Sequence, residues 1–212
     1  MKFREVKRLL DLCSYEDELF SCGYYSIAGV DEAGRGSLAG PIVAAAVILD
    51  RQKMMIEKLD DSKKITAVNR NIIFKKIIKS CKSWSFARVS PVVIDRISLG
   101  NANLLVMKKA VSKLKIKPDL VITDALYIDL KRFNIQSIPI INGDELSVSI
   151  AAASILAKVI RDRLMMKYSH IYPQYGFELN KGYGTKRHFM ALKDIGPSAI
   201  HRKSFKGVEV QQ

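Results

Sequence analysis

IAGVDEAGRGSLAGPIVAAAVIL, residues 27–49, carries the reading of this chain. An apolar run ends in two adjacent carboxylates, Asp31 and Glu32. Gly34, Arg35 and Gly36 follow at once, and a second apolar run begins at Pro41. Two neighbouring strands joined by a glycine-rich turn, a hairpin in outline, are expected over 26–31 and 41–49. Alternation along a strand sends Asp31 and Glu32 to opposite faces. Both serve one site only where the strand ends and twists, a departure that Gly34 permits. Carboxylates gather hard divalent cations, and a glycine-flanked arginine offers backbone and guanidinium to a sugar-phosphate chain at close range. Side by side they point to a metal-dependent enzyme acting on nucleic acid. An Asp-Glu pair read alone is more often solvated loop charge; its place at a strand end beside Gly-Arg-Gly shifts the balance.

Upstream, Phe3, Val6, Leu9, Leu10 and Cys13 recur at helical spacing over 3–20. Downstream, Thr66 is placed to cap a helix reaching about Ser80, with Val68, Ile72, Ile73, Ile77 and Ile78 as its apolar face. A strand over 83–89 is followed by Ser90-Pro91, which suits a helix start, and a longer helix over 102–114. Residues 120–123 form a short apolar run ending in Asp124, as in a strand buried on both faces; 137–141 form another. Asp144 opens a helix after Gly143, and the helix over 146–167 is rich in alanine at Ala151, Ala152, Ala153 and Ala157, which suits close packing on a sheet. The fold class expected is α/β: a mixed sheet flanked by helices, with a small C-terminal helical portion. The expected division is an N-terminal helical extension over 1–25, a catalytic domain over 26–170 and a C-terminal substrate-binding portion over 171–212. Asp31, Glu32, Asp124 and Asp144 then stand at the ends of adjacent elements, able to converge on one edge of the sheet.

The 212 residues carry 35 Lys+Arg against 21 Asp+Glu, a formal charge of +14. Solubility alone accounts for a high charge in some proteins; basic residues beside the acidic motif favour a polyanionic partner. Cys13, Cys22 and Cys81 are odd in number and widely spaced, which reads as reduced thiols rather than a disulfide framework or zinc site. The first twenty residues are charged throughout, unlike a signal peptide, and no apolar run approaches the roughly 20 residues of a membrane span. A soluble cytoplasmic protein without membrane contact, and a monomer, is expected.

Gly34-x-Gly36-x-x-Ala39 satisfies a dinucleotide-binding pattern, but that pattern needs a helix to open at the glycines, and Gly40-Pro41 with a β-branched run follows instead. No Gly-Lys-Ser/Thr follows, so the Walker pattern fails as well. Asp124 alone also reads as a turn cap, and Asp144 as a helix N-cap. Tyr183, between Gly182 and Gly184, either stacks on a sugar or base or covers the core edge. Lys63 and Lys64 read on their own as a solvated pair. His188 and His201 read as structural or phosphate-contacting, since no second histidine stands at ligand spacing.

Taken together, residues 27–41, DSKKIT (61–66), Asp124, GDELSVSIAAASILAKVIRDRLM (143–165), GYGTKRH (182–188) and HRKSF (201–205) closely resemble bacterial ribonuclease HII, the type 2 ribonuclease H. The resemblance implies a ribonuclease-H-like sheet, hydrolysis of RNA in RNA·DNA hybrids, and incision 5′ of single ribonucleotides embedded in duplex DNA. It places the acidic set, catalytic and metal-binding, on Asp31, Glu32, Asp124 and Asp144, with Mg²⁺ or Mn²⁺ as cofactor. Gly34, Arg35 and Gly36 fall on the element that reads the ribose 2′-hydroxyl, Tyr183 on the tyrosine that packs on the deoxyribose across the junction, and Lys63 joins the substrate-contacting set. Family members usually continue the third carboxylate as Asp-Gly-Asn; here it is Asp124-Ala125-Leu126. The related type HIII usually carries a substantial extra N-terminal domain and a glutamate as fourth acid, so type HII is favoured.

In-line hydrolysis of a phosphodiester needs a nucleophilic water and stabilised charge on phosphorus and on the leaving oxygen. Two metal ions about 4 Å apart supply all three, with carboxylates to offset their charge, and products with 5′-phosphate and 3′-hydroxyl ends follow. A non-catalytic nucleic-acid-binding module would be poorly served by clustered acids that repel phosphate. A structure-selective DNA nuclease with the same acids is the closer rival, and Gly34-Arg35-Gly36 with Tyr183 speaks against it.

Overall fold

In the computed structural model, which describes residues 1–208, the apolar run after Pro41 becomes β2 (Ile42–Leu49), buried at every residue. It lies between β1 (Ile27–Ala33) and β3 (Cys81–Val89), antiparallel to both. On the far side of β1, β4 (Leu120–Asp124) and β5 (Gln136–Ile140) run parallel to it, giving the order β3-β2-β1-β4-β5. The expected mixed α/β sheet is what forms. Residues 209–212, the end of the expected C-terminal portion, lie outside the described residues.

Strand alternation divides β2 between two cores. Ala45, Val47 and Leu49 face α1 (Phe3–Ser21), α2 (Ala67–Ser80) and α6 (Val148–Ile171). Ala44, Ala46 and Ile48 face the layer of α3 (Pro91–Ile97) and α4 (Leu99–Ser112). Alanines on both faces let both helical layers approach closely. The approach is tight at Gly29 of β1, where an added Cβ would stand 2.2 Å from the carbonyl carbon of Ser149. With Ala151, Ala152, Ala153 and Ala157 all buried, α6 lies against the backbone of β1 and brings its polar residues to the strand end.

Two elements differ from the sequence reading. In α2 the buried face is Ile73, Phe74 and Ile77, while Val68 and Ile72 are exposed. Phe74 sits edge-to-face on Trp84 of β3, and that ring contact rotates the helix away from Val68. Thr66 caps it as expected, accepting from the Asn69 N–H. The helix expected over 146–167 forms as α6, reaching on to Ile171, and the residues before it make a separate single turn, α5 (Gly143–Leu146). The break is Ser147, whose hydroxyl accepts from the Ile150 N–H at 3.2 Å and donates to Glu16 of α1. Glu16 also accepts from the Ser149 N–H at 2.9 Å. Burial pushes its carboxyl up, towards the neutral form that such a place favours. Alongside Leu9, Leu12, Cys13 and Phe20 in the core, this contact keys α1 to the start of α6.

After α6 come α7 (Phe177–Asn180) and α8 (Lys186–Ile195). They enclose a third small core in which Tyr175, Phe177 and Leu192 meet Met165 of α6 and Leu38 and Ala39 of the β1–β2 turn. Among the described residues no helix is long and apolar enough to cross a membrane.

Candidate active site

Parallel pairing sets Val30 opposite Thr123, so Asp31 lies beside Asp124 at about 5 Å, one inter-strand spacing. Asp124 ends β4, whereas β1, expected to end at Asp31, continues through Glu32 to Ala33. Asp31 pairs with Ala45 and faces Ser154 of α6; Glu32 pairs with Ala44 and faces Asn103 of α4. They leave β1 on opposite sides, yet at its end both border one hollow of about 310 Å³. Gly34, Arg35, Gly36, Lys63, Asp124 and Tyr183 line it with them. Asp144 stands just outside that lining. It lies in the single turn of α5 with its carboxylate 3.1 Å from Lys63 Nζ. It is not the N-cap: that residue is Asn142, and Asp124 takes the Gly143 N–H at 2.8 Å. One carboxylate thus holds the turn that carries another.

Crowded acids in a buried place disfavour their own ionisation. Burial and then the Glu32 charge push the Asp31 carboxyl well above the usual carboxylate range. Burial also raises Glu32, with Arg35, 3.7 Å away, pulling the other way. Burial raises Asp124 against the opposing Gly143 N–H, and Asp144 adds to the rise. Burial alone would depress Lys63, but the Asp144 carboxylate outweighs it and holds the ammonium above its ordinary value.

The Gly-Arg-Gly turn is held from behind by two buried arginines that composition and spacing did not single out. Arg202 donates to the carbonyls of Gly34, Arg35 and Gly40 at 2.7, 2.8 and 3.1 Å. Arg161 of α6 donates to those of Pro41 and Ala39. Gly34 has φ +95°, and an added Cβ would stand 2.0 Å from Arg161 Nε, so the fold itself demands glycine there. At Gly36 an added Cβ meets open space. Its missing side chain keeps the hollow open to a ligand. Gly36→Ala is therefore expected to leave the unfolding free energy within about 0.5 kcal/mol of the parent while reducing activity about tenfold. Paired denaturation and turnover measurements check this. Ser154, Lys158 and Asp162, four residues apart along α6, bring a polar stripe to the site: Ser154 and Lys158 line the hollow, and Lys158 pairs with Asp162 at 2.8 Å. That spacing in an alanine-rich helix was the signal available for them in the sequence.

Tyr183 is 38% exposed, with Lys158 Nζ and the Arg161 guanidinium 5.4 and 5.5 Å from its ring centre. Its loop is docked on the turn, since the Gly182 carbonyl accepts from the Leu38 and Ala39 N–H groups. The Tyr183 carbonyl is held by the His188–His201 pair, whose protons can be placed. The Ser198 N–H donates to His201 Nδ1 at 2.9 Å, so that nitrogen accepts. The Tyr183 carbonyl accepts, so His188 Nδ1 donates. The remaining contact, 2.9 Å between the two Nε2 atoms, then runs from His201 to His188. The relay needs both rings neutral, and burial lowers both; His201 falls to about 4, with His188 as the second cause.

This geometry matches a known family. The ribonuclease HII family model covers residues 28–208. A ribonuclease HII from Caldicellulosiruptor bescii is 52% identical over 190 residues, 90% of this chain and 91% of its own. One from Syntrophomonas wolfei is 47% identical over 205 residues, 97% and 79% of the two chains. Among solved structures, ribonuclease H2 from Pyrococcus horikoshii superposes with a TM-score of 0.75 at 28% identity, over 87% of this chain and 95% of its own. The chain belongs to the ribonuclease HII family. It is a nuclease, and hence a hydrolase, of the ribonuclease H class.

Against the usual ribonuclease HII pattern, the Asp124-Ala125-Leu126 departure has a visible cost. Ala125 takes φ +53°, a left-handed conformation that suits glycine. The loop nonetheless keeps its bonds, Ala125 N–H to the Ile140 carbonyl and the Thr123 hydroxyl to the Leu126 carbonyl, so Asp124 stays in place. Ala125→Gly is expected to raise stability by about 0.5–1 kcal/mol. An unfolding midpoint at or below the parent's would contradict this.

Ribonucleases H are divalent-metal dependent, and the donor set here fits a hard cation: all oxygen and anionic, with Asp31, Glu32 and Asp124 around one hollow. As placed, no three of these groups converge on one point among the described residues. Asp144 leans on Lys63, Asp124 on the Gly143 N–H and Glu32 towards Arg35. Each of these three acids is drawn to a different donor, and the β1–β4 pairing already places Asp31 beside Asp124.

Proposed function

We propose that this chain hydrolyses the RNA strand of RNA·DNA hybrids and incises 5′ of single ribonucleotides in duplex DNA, leaving 5′-phosphate and 3′-hydroxyl ends. The observation that carries the reading is the Gly-Arg-Gly turn. Arg202 occupies the carbonyls of Gly34 and Arg35, while the N–H groups of Arg35 and Gly36 have no acceptor among the described residues. A rigid pair of donors beside clustered carboxylates suits a substrate hydroxyl next to a scissile phosphate. Asp31, Glu32, Asp124 and Asp144 hold Mg²⁺ or Mn²⁺. Two such ions supply a nucleophilic water and stabilise charge on phosphorus and on the leaving oxygen. Arg35 and Gly36 bind the 2′-hydroxyl, Lys63 and Lys158 face phosphate, and the Tyr183 ring packs on the next sugar where that sugar lacks a hydroxyl. Residues 171–208 act as the substrate-binding portion, and the protein works as a cytoplasmic monomer.

The test is a set of labelled duplexes containing no, one or four ribonucleotides, with and without Mg²⁺. Cutting is expected only in the second and third, 5′ of the ribonucleotide and only with metal. A site built around a hydroxyl rejects its absence by about 10⁴-fold, since its own donors are then left unpaired. Tyr183→Ala should depress cutting at the single ribonucleotide more than Tyr183→Phe, which keeps the ring. Equal cutting of the all-DNA duplex would replace this reading with a DNA nuclease.

A further inference from the structure

The outer edge of the sheet carries a second groove, of about 870 Å³, on the far flank of α6 from the carboxylates. Trp84 and Phe86 of β3 form its floor, their rings within 18° of parallel and 6.4 Å apart, with Phe86 exposed. Five cations rise around them: Arg88 on the strand, Lys109 and Lys113 on α4, Arg163 and Lys167 on α6. No acidic residue lines the groove. Among the described residues none of the five has a carboxylate within 4 Å. Arg163 instead donates to the Asn71 side chain and lies over the Phe74 ring.

We propose that this groove binds a single-stranded segment of nucleic acid, its phosphates on the five cations and its bases on Trp84 and Phe86. Unpaired cations with no acid nearby select a polyanion, and flat rings between them select one with π faces. A cation on an edge strand, here Arg88, also deters strand addition, but that purpose needs neither the helix-borne cations nor an aromatic floor. A duplex keeps its base faces stacked on one another, so only an unpaired strand offers them to Trp84 and the exposed Phe86 at the sheet edge. Asp31, Ala45 and Phe86 stand in register across three strands, which sets the groove about 10 Å from the carboxylates, two inter-strand spacings. The inference stands apart from the reading of the catalytic hollow, with which it shares no residue.

Trp84 is the only tryptophan in the chain, so its fluorescence reports this groove alone. The full chain is titrated in chelator, where nothing is cut, with a deoxythymidine oligomer of about twelve nucleotides. An abasic deoxyribose-phosphate oligomer and a polyglutamate peptide of matching length are titrated alongside. The expected result is saturable quenching by the deoxythymidine oligomer, about tenfold weaker with the abasic one. Quenching should weaken about tenfold or more in the Lys109→Glu/Lys113→Glu double variant, and also in Phe86→Ala, while cleavage of a fully paired substrate is unchanged in both. Absence of quenching, equal affinity for the abasic oligomer, or unaltered affinity in the variants would overturn the proposal. Stronger quenching by polyglutamate would overturn it in favour of an acidic peptide.

Discussion

Asp31→Asn is expected to cut turnover on the order of a hundredfold or more while raising the unfolding temperature at neutral pH. The two effects share one cause. Asp31 is buried beside Glu32 and Asp124, and its carboxyl is held well above the usual range by burial first and by Glu32 second. At pH 7 the unfolded aspartate is ionised, so folding must carry that charge into the site or take up a proton, and either way stability is lost. The amide keeps the shape and removes the charge. A raised carboxyl costs stability above its unfolded value and ceases to do so as pH falls, so the thermal advantage should shrink towards pH 4. The activity loss, by contrast, should persist at every pH, because an amide is a poor ligand for a hard cation. Wild-type turnover in this variant would remove Asp31 from the catalytic set. A lower melting temperature at pH 7 would show that its charge is compensated in the fold.

Acid should weaken the fold through the His188–His201 relay. The His201 imidazole falls from 6.5 to about 4, by burial first and His188 second. A depressed histidine means that the unfolded chain takes up the proton first, so stability is complete above pH 6.5 and is lost as pH falls towards 4. Linkage over that window gives about 3 kcal/mol by pH 4. The raised carboxyls of Glu16, Asp31, Glu32 and Asp124 act in the opposite sense, so the effect is read as a difference. His201→Asn keeps an oxygen acceptor for the Ser198 N–H and cannot take up a proton. The stability of the parent relative to this variant should fall by about 3 kcal/mol between pH 7 and pH 4. A constant difference would mean that the two rings are not held neutral as placed.

How far the sequence reaches is clearest at the β1–β2 turn. An apolar strand leading into Asp31-Glu32, a Gly-Arg-Gly turn and a second apolar strand were all legible, because strand periodicity and glycine placement are local properties of the chain, although β1 carries on through both acids to Ala33. The alanines of α6 likewise announced close packing, and Gly29 against Ser149 is where it occurs. The face of α2 was not legible. Its apolar residues outnumber the positions one face can bury, and only the Trp84 ring across the layer chose Phe74 over Val68. Nor was the break at Ser147, which depends on Glu16 reaching over from more than a hundred residues away. In the site the sequence supplied the carboxylates but not their partners. Asp144, readable as a cap, is drawn to Lys63, and the capping bond to Gly143 comes from Asp124.

The sequence by itself determined the strands and helices, the acids at the strand ends and the family, since these rest on local pattern and residue identity. Tertiary structure alone decided that Arg161 and Arg202 enter the interior to take the turn's carbonyls, and that two histidines thirteen residues apart fix the Tyr183 carbonyl. The physical reason is that a buried charge or imidazole is stable only where distant backbone groups complete its hydrogen bonds. Those groups come together only when the chain has folded.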